Sequence, residues 1–372
     1  MKNEYWFAVL FFFLLFGCSS EMEQEPLQQF SEEYETNVVG ENNGDLFLFN
    51  YKSSDSLGTV INLSENLDIR GVFLTLRQVE DELSFFSFRD GFFSLAKKNI
   101  ETGENEIFPN FYEDTPIRSI VWGTTTRDDV YLGTFAPSGT RNLSLYNAPT
   151  NTAEGTDFPL EFNIQNLYQP LYYKDKLFVT YFDGNASFKV VVFDTAQRQV
   201  IRTFNFGLES PSLFITAEGN LGIIIRNPSQ GLRLSIFDFD TLMEVEIYDL
   251  EINQSFLPGE LQNTFYVENK LVFSFSYAQP SPINFGPGVY DVEKKELFLV
   301  DLISLVASEQ ERLGRNITIV SQGYSMDQSL FLIGYVESST QGTKGGIFVI
   351  STEGELMDTI ETNFAPVYFV QD

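Results

Sequence analysis

A strand–turn–strand unit recurs along the chain at nearly even spacing, and that recurrence limits the folds open to it. The unit is clearest at Phe188–Gly207, FKVVVFDTAQRQVIRTFNFG. Val190 to Phe193 is a β-branched and aromatic run, Asp194 to Gln197 a polar turn, and Val200 to Phe206 a second strand that Gly207 ends. The residues opening the turns of related units are Asn50, Asn99, Asn147, Asp194, Asp238, Asp291 and Ser351. Their spacing averages about 50 residues, the length of one four-stranded repeat.

Further hairpins lie between the markers. Leu171 to Phe182 turns at Lys174-Asp175-Lys176, Leu213 to Ile225 at Glu218-Gly219-Asn220, and Thr264 to Tyr277 at Glu268-Asn269-Lys270. Val72 to Phe88 and Ile120 to Phe135 have the same form, turning at Glu80-Asp81 and Arg127-Asp128. Each repeat therefore reads as two hairpins, or four antiparallel strands. With 38 Phe and 17 Tyr the composition favours strands. The expected fold class is all-β: a β-propeller of four-stranded antiparallel blades, seven in number.

The two ends complement each other. The first repeat lacks an inner strand, and residues 364–372, FAPVYFVQD, supply one more than the last repeat needs. An open ring would leave unpaired edges, so the C-terminal strand is expected to complete the first blade. One stretch breaks the pattern: Leu302–Gly314 has the apolar spacing of a short helix.

The units FKVVVFDTAQRQVIRTF and LRLSIFDFDTLMEVEIYDL resemble the V-x-V-x-D-x-x-T-x-x-V strand pairs of YVTN-type and quinoprotein-like (WD40-like) β-propellers. The resemblance is strong only in the fourth and fifth repeats. Repeats one to three carry Asn in place of Asp, and the seventh carries Ser351. It implies a fold and no reaction. The tryptophan-docking motifs of quinoprotein dehydrogenases are absent, since only Trp6 and Trp122 occur, so no quinone cofactor is expected.

The N-terminus reads as an address. Lys2 precedes a twelve-residue apolar segment, Tyr5 to Phe16, too short to span a bilayer comfortably. Leu15-Phe16-Gly17-Cys18 resembles the lipobox of bacterial lipoproteins. That resemblance implies a signal peptide over residues 1–17, cleavage before Cys18 and acylation (palmitate included) of the new terminus. Residues 18–35 then form a tether with no Lys or Arg, and self-repulsion keeps such a segment extended. Its start resembles the acidic export signal of surface lipoproteins in one phylum of Gram-negative bacteria. The expected location is the outer membrane, lipid-anchored and facing outward, with a periplasm-facing tether as the alternative. The propeller domain occupies residues 36–372.

Charge and missing residue types narrow the chemistry. Asp plus Glu total 52 against 23 Lys plus Arg, a formal net charge of −29. Such a surface repels phosphate backbones, so nucleic acid is not an expected partner. There is no His, and Cys18 is the single Cys. Histidine-dependent catalysis and Cys or His metal sites are thereby excluded, and no metal or other cofactor is expected. Acidic pairs such as Asp128-Asp129 abound in predicted turns and select no catalytic pair.

Ligands of propellers bind at the channel mouth, on loops that enter each innermost strand. Arg70 and Arg118 occupy the same place in successive repeats, with Arg315 in the sixth. Clustered guanidinium groups suit an anion or carboxylate; the alternative is that each pairs with an acid nearby. The loop Ala278–Gly288 is expected at the same mouth, together with Val336–Gly345. Four triplets, Asp55-Ser56-Leu57, Asp194-Thr195-Ala196, Asp240-Thr241-Leu242 and Asp358-Thr359-Ile360, fit an O-glycosylation pattern of the same phylum and fall in predicted turns.

The expected function is a non-catalytic binding or scaffold module for a protein or glycan partner. Two alternatives stand beside it. One is a carboxylate-dependent enzyme acting on glycans or peptides, which a convergence of aromatic and acidic residues at one mouth would favour. The other is a structural subunit of an outer-membrane complex, which an apolar channel plug would favour.

Overall fold

The structure is a computed structural model. It describes residues 33–371 except 55–57, 70–72, 90, 114–118, 127–128, 136–142, 150–155, 162 and 338–342. These residues form a β-propeller of small antiparallel blades, their strands grouped in seven sheets.

The first sheet holds Glu35–Asn42, Asp45–Lys52 and Thr59–Asn62, with Ala365–Phe369 antiparallel to Glu35–Asn42 on its inner side. The two ends of the domain thus share one sheet, as the sequence suggests. From the inner strand outward, the second sheet runs Phe73–Val79, Glu82–Arg89, Phe92–Asn99 and Asn105–Glu113. The third runs Ser119–Thr125, Asp129–Phe135, Leu143–Pro149 and Thr156–Glu161. In the fourth, Ile164–Leu167 and Leu171–Tyr173 both pair with Lys176–Asp183, followed by Phe188–Asp194 and Gln199–Gly207. Phe188–Gly207 is therefore the outer strand pair of the fourth sheet.

The fifth sheet runs Ser210–Ile215, Leu221–Asn227, Gly231–Phe237 and Glu244–Leu250. The sixth runs Phe265–Val267, Lys270–Ser276, Phe285–Asp291 and Glu296–Leu299. The seventh runs Ile317–Ser325, Leu330–Glu337, Lys344–Ser351 and Leu356–Thr362.

Position in the sheet explains each strand's composition. Middle strands are covered on both faces and read as continuous apolar runs, as in LGIIIRN of Leu221–Asn227. Outer strands face solvent: Gln199–Gly207 is exposed along most of its length. Full burial of each Ile, Leu or Phe contributes about 1.5–3 kcal/mol.

The cores lie between successive sheets. Leu46 and Leu48 of the first meet Leu83 and Phe85 of the second. Phe86 and Leu95 meet Val130 and Leu132 of the third. Trp122 and Tyr131 meet Leu177 and Val179 of the fourth. Phe178 and Val192 meet Leu221 and Ile223 of the fifth. Ile224 and Leu234 meet Leu271 and Phe273 of the sixth, and Phe265 and Val272 meet Phe331 and Phe348 of the seventh. The seventh then meets the first. The Ser321 hydroxyl donates to the Pro366 carbonyl at 2.6 Å, and the Tyr34 hydroxyl donates to Asp358 at 2.5 Å.

Turn chemistry follows the sequence. At the inner hairpins, Glu80, Lys174, Glu268 and Asn269 take positive φ in two-residue loops, and Gly219 does so in a longer one. The expected helix spans Leu302–Leu313, capped by Asp301, whose carboxylate accepts from Ser304 N, and by Gly314 at φ 64°. It buries Leu302 and Val306 in the sixth–seventh core. A one-turn helix at Leu63–Asn66 was not expected.

One glycosylation triplet departs from the expected turn, and a second has its threonine buried within its turn. Asp358-Thr359-Ile360 lies inside the strand Leu356–Thr362 rather than in a turn. Thr195 is buried, and its hydroxyl donates to the Asp175 carbonyl at 3.2 Å, because the loop folds back on the neighbouring hairpin turn. Thr241 is exposed in its turn, and Asp55-Ser56-Leu57 lies outside the described residues. Among the described residues no helix is long and apolar enough to cross a membrane.

Candidate functional site

The inner strands line a central channel, and a connection between two sheets enters it. Fourteen residues, 251–264, link the outer strand of the fifth sheet to the inner strand of the sixth. Within them Gly259–Glu260 pairs in parallel with Ser210–Ile215 on the channel side, Ser212 opposite Gly259 and Leu213 opposite Glu260. Leu261 N donates to Leu213 O at 2.8 Å, Glu260 N to Gln169 O at 3.0 Å, and the Ser212 hydroxyl to Leu257 O at 2.7 Å. Gly259 sits at φ 93° against the backbone of Gln169, so a side chain there meets both strain and a clash.

This strap carries Glu260 to Arg77, which reaches in from the second sheet. The Arg77 guanidinium donates to the Glu260 carboxylate and to the side-chain oxygen of Gln169. Arg77 is 4% exposed. A buried guanidinium needs such a partner, because its desolvation is otherwise uncompensated. The contact crosses the channel and leaves a cavity on either side.

The cavity at the turn end has a volume of about 540 Å³. Tyr172, Tyr173, Phe265 and Tyr368 give it aromatic walls, and Glu80 and Asp81 stand exposed at its rim. The cavity at the loop end is about 630 Å³. Amides and hydroxyls line it: Gln169, Gln254, Gln262, Thr75, Ser274 and Ser276. Phe256, Leu257, Phe285 and Val367 supply apolar surface. Glu260 is the one charged side chain among its described lining residues, and Arg77 already pairs with it.

Gln254 organises this mouth, donating to Ser276 Oγ at 3.3 Å and accepting from Ser276 N at 3.2 Å. Thr75 Oγ1 is buried without a hydrogen-bond partner among the described residues. Tyr368 lines both cavities and donates to Gln78 Oε1 at 3.3 Å. Burial, and then the negative charge of Glu260, push its hydroxyl above the usual tyrosine range.

The arginines expected at the mouth are not brought together by anything described. Arg70 and Arg118 lie outside the described residues. Arg315 lines neither cavity and donates twice to Glu337 of its own sheet, at 2.6 and 2.9 Å. Glu337 is buried, and the guanidinium compensates it. The loop Ala278–Gly288 does reach the loop-end mouth, through Phe285. Its expected neighbour, Val336–Gly345, lies partly outside the described residues. Tyr168 and Tyr173 pack on Phe188 and Phe239, with centroids 6.0 and 5.1 Å apart, as structural aromatics do. Among the described residues no group of three His, Cys, Asp or Glu side chains is placed to hold a metal ion.

The strap and Arg77 escaped sequence reasoning, although both left a mark. Residues 251–264 form an inter-sheet connection without alternation, and Arg77 interrupts the apolar strand FLTLRQV.

Blades of this form around a crossed channel define the chain as a β-propeller. No family model matches the sequence, and comparison with curated proteins gives no match. Solved structures match in fold. Puromycin hydrolase is similar at a TM-score of 0.50 and 12% identity over 88% of this chain, which spans about half (54%) of that protein. TolB from Acinetobacter baumannii is similar at 0.42 and 11% identity, covering 91% of this chain and 83% of that one. The β-propeller domain of the Trilobed protease from Pyrococcus furiosus is similar at 0.46 and 11% identity, covering 90% and 95%. Likeness at this identity concerns the fold alone.

Proposed function

We propose that this chain is a lipid-anchored, extracytoplasmic binding module that closes as one seven-bladed ring and engages a protein or glycan partner at the loop-end mouth. One observation carries the binding reading. In a chain of net charge −29, this cavity gathers amides, hydroxyls and apolar side chains around a single carboxylate already held by Arg77. A concave, largely uncharged site with convergent polar groups is the usual form of a ligand site. Ring closure is supported by the first sheet, which joins Glu35–Asn42 to Ala365–Phe369, and by apolar cores between successive sheets. The lipobox-like Leu15-Phe16-Gly17-Cys18 supports anchoring, and the acidic stretch after Cys18 supports an outward-facing position on the outer membrane. The test is site-specific photo-crosslinking from Leu257 on intact cells.

A second reading, a carboxylate-dependent hydrolase, takes its support from the turn-end cavity, where Glu80 and Asp81 meet Tyr172, Tyr173 and Tyr368. Loss of a hydrolytic activity in Glu80→Gln with Asp81→Asn would favour it. The purely structural role has less support, since the channel is crossed by polar groups.

A further inference from the structure

We propose that the ligand of the loop-end mouth is an uncharged saccharide. The proposal rests on the reading of that mouth as a binding site and names the class of ligand it takes. Three features point this way. The first is charge. An anionic ligand meets the field of a chain carrying −29 and the Glu260 carboxylate, while a cationic ligand must compete with Arg77 for that carboxylate. Neither sign of charge has an unclaimed counter-charge among the described lining residues.

The second is the donor set. Sugar hydroxyls both donate and accept, and side-chain amides and hydroxyls do the same. Gln169, Gln254 and Gln262 supply amides, Ser274 and Ser276 hydroxyls. Thr75 is a further hydroxyl-bearing residue of the lining.

The third is shape. Phe256, Leu257, Phe285 and Val367 give the apolar surface that the C–H faces of a sugar ring pack against. The volume of about 630 Å³ holds a short oligosaccharide and lies in the usual range for small-ligand sites.

The test is calorimetry of the full chain in detergent with maltohexaose, cellohexaose and mannohexaose, set against oligogalacturonate and chitosan hexamer. At least one neutral hexamer should bind, and the charged oligomers should bind more weakly. Gln262→Met keeps the length of an exposed lining side chain and should weaken binding by about tenfold, the value of one hydrogen bond, with the melting temperature unchanged. Leu257→Asp places a charge on an exposed lip and should weaken binding without touching the core. Binding of none of the neutral hexamers, while crosslinks from Leu257 persist, overturns the saccharide class and leaves the mouth reading standing. Neutral-hexamer binding indifferent to both substitutions places the site elsewhere and overturns both.

Discussion

Arg77 and Glu260 meet inside the channel although 183 residues separate them in the chain. One comes from the inner strand of the second sheet, the other from the strap between the fifth and sixth. The contact ties the strap across the channel and divides the two cavities. Breaking it from one side strands a charge. Glu260→Ala should cost about 3–5 kcal/mol, because Arg77 stays buried without its counter-charge. Arg77→Met combined with Glu260→Gln should recover much of that loss. Urea denaturation of the three proteins measures both effects; equal stability of wild type and Glu260→Ala would contradict the assignment.

The joined ends give a second prediction. Phe364 lies directly over Gly40, leaving no room for a Cβ. Gly40→Ala should destabilise by about 1–3 kcal/mol through overpacking. Deleting residues 364–372 removes the strand that pairs with Glu35–Asn42 and should lower the melting temperature by many degrees. An unchanged melting curve after the deletion would contradict ring closure.

Asp183 sets an acid limit. Burial alone pushes its carboxyl up, yet the Lys189 ammonium and the N–H groups of Ser187 and Asn185, each 2.9 Å away, hold it below the usual carboxylate range. A lowered folded-state value means that its stabilising effect is complete above the unfolded value, about 4, and is lost as pH falls through the folded one. The stability difference between wild type and Asp183→Asn should therefore stay constant down to about pH 5 and shrink below pH ~4. A difference that widens on acidification would contradict this.

Lipid attachment is tested at Cys18. Labelled palmitate should enter the wild-type protein and not Cys18→Ala, and the variant should leave the membrane fraction. Equal labelling would contradict acylation at that residue.

Much of the fold was legible because position in a sheet dictates composition. Continuous apolar runs such as LFLIGYVE mark middle strands, and turn residues such as Glu268-Asn269 mark hairpins. The completion of the first sheet could be read from FAPVYFVQD. The site was less legible. Equivalent places in successive repeats singled out Arg70, Arg118 and Arg315, but an Arg at a loop start answers to its nearest acid, and Arg315 has Glu337. The groups that do converge come from a connection, 251–264, whose path depends on tertiary contacts such as Leu261 N to Leu213 O. A repeat pattern carries no information about such a segment.

The central claim is that the loop-end mouth is where this protein meets its partner. A photo-reactive benzophenone amino acid at Leu257, on the rim of that mouth, is compared on intact cells with one at Val245, also exposed but on an outer strand. The account predicts discrete adducts from Leu257 that are absent from Val245 and diminished in Gln262→Met. Equal adducts from both positions, or adducts from Val245 alone, would contradict it.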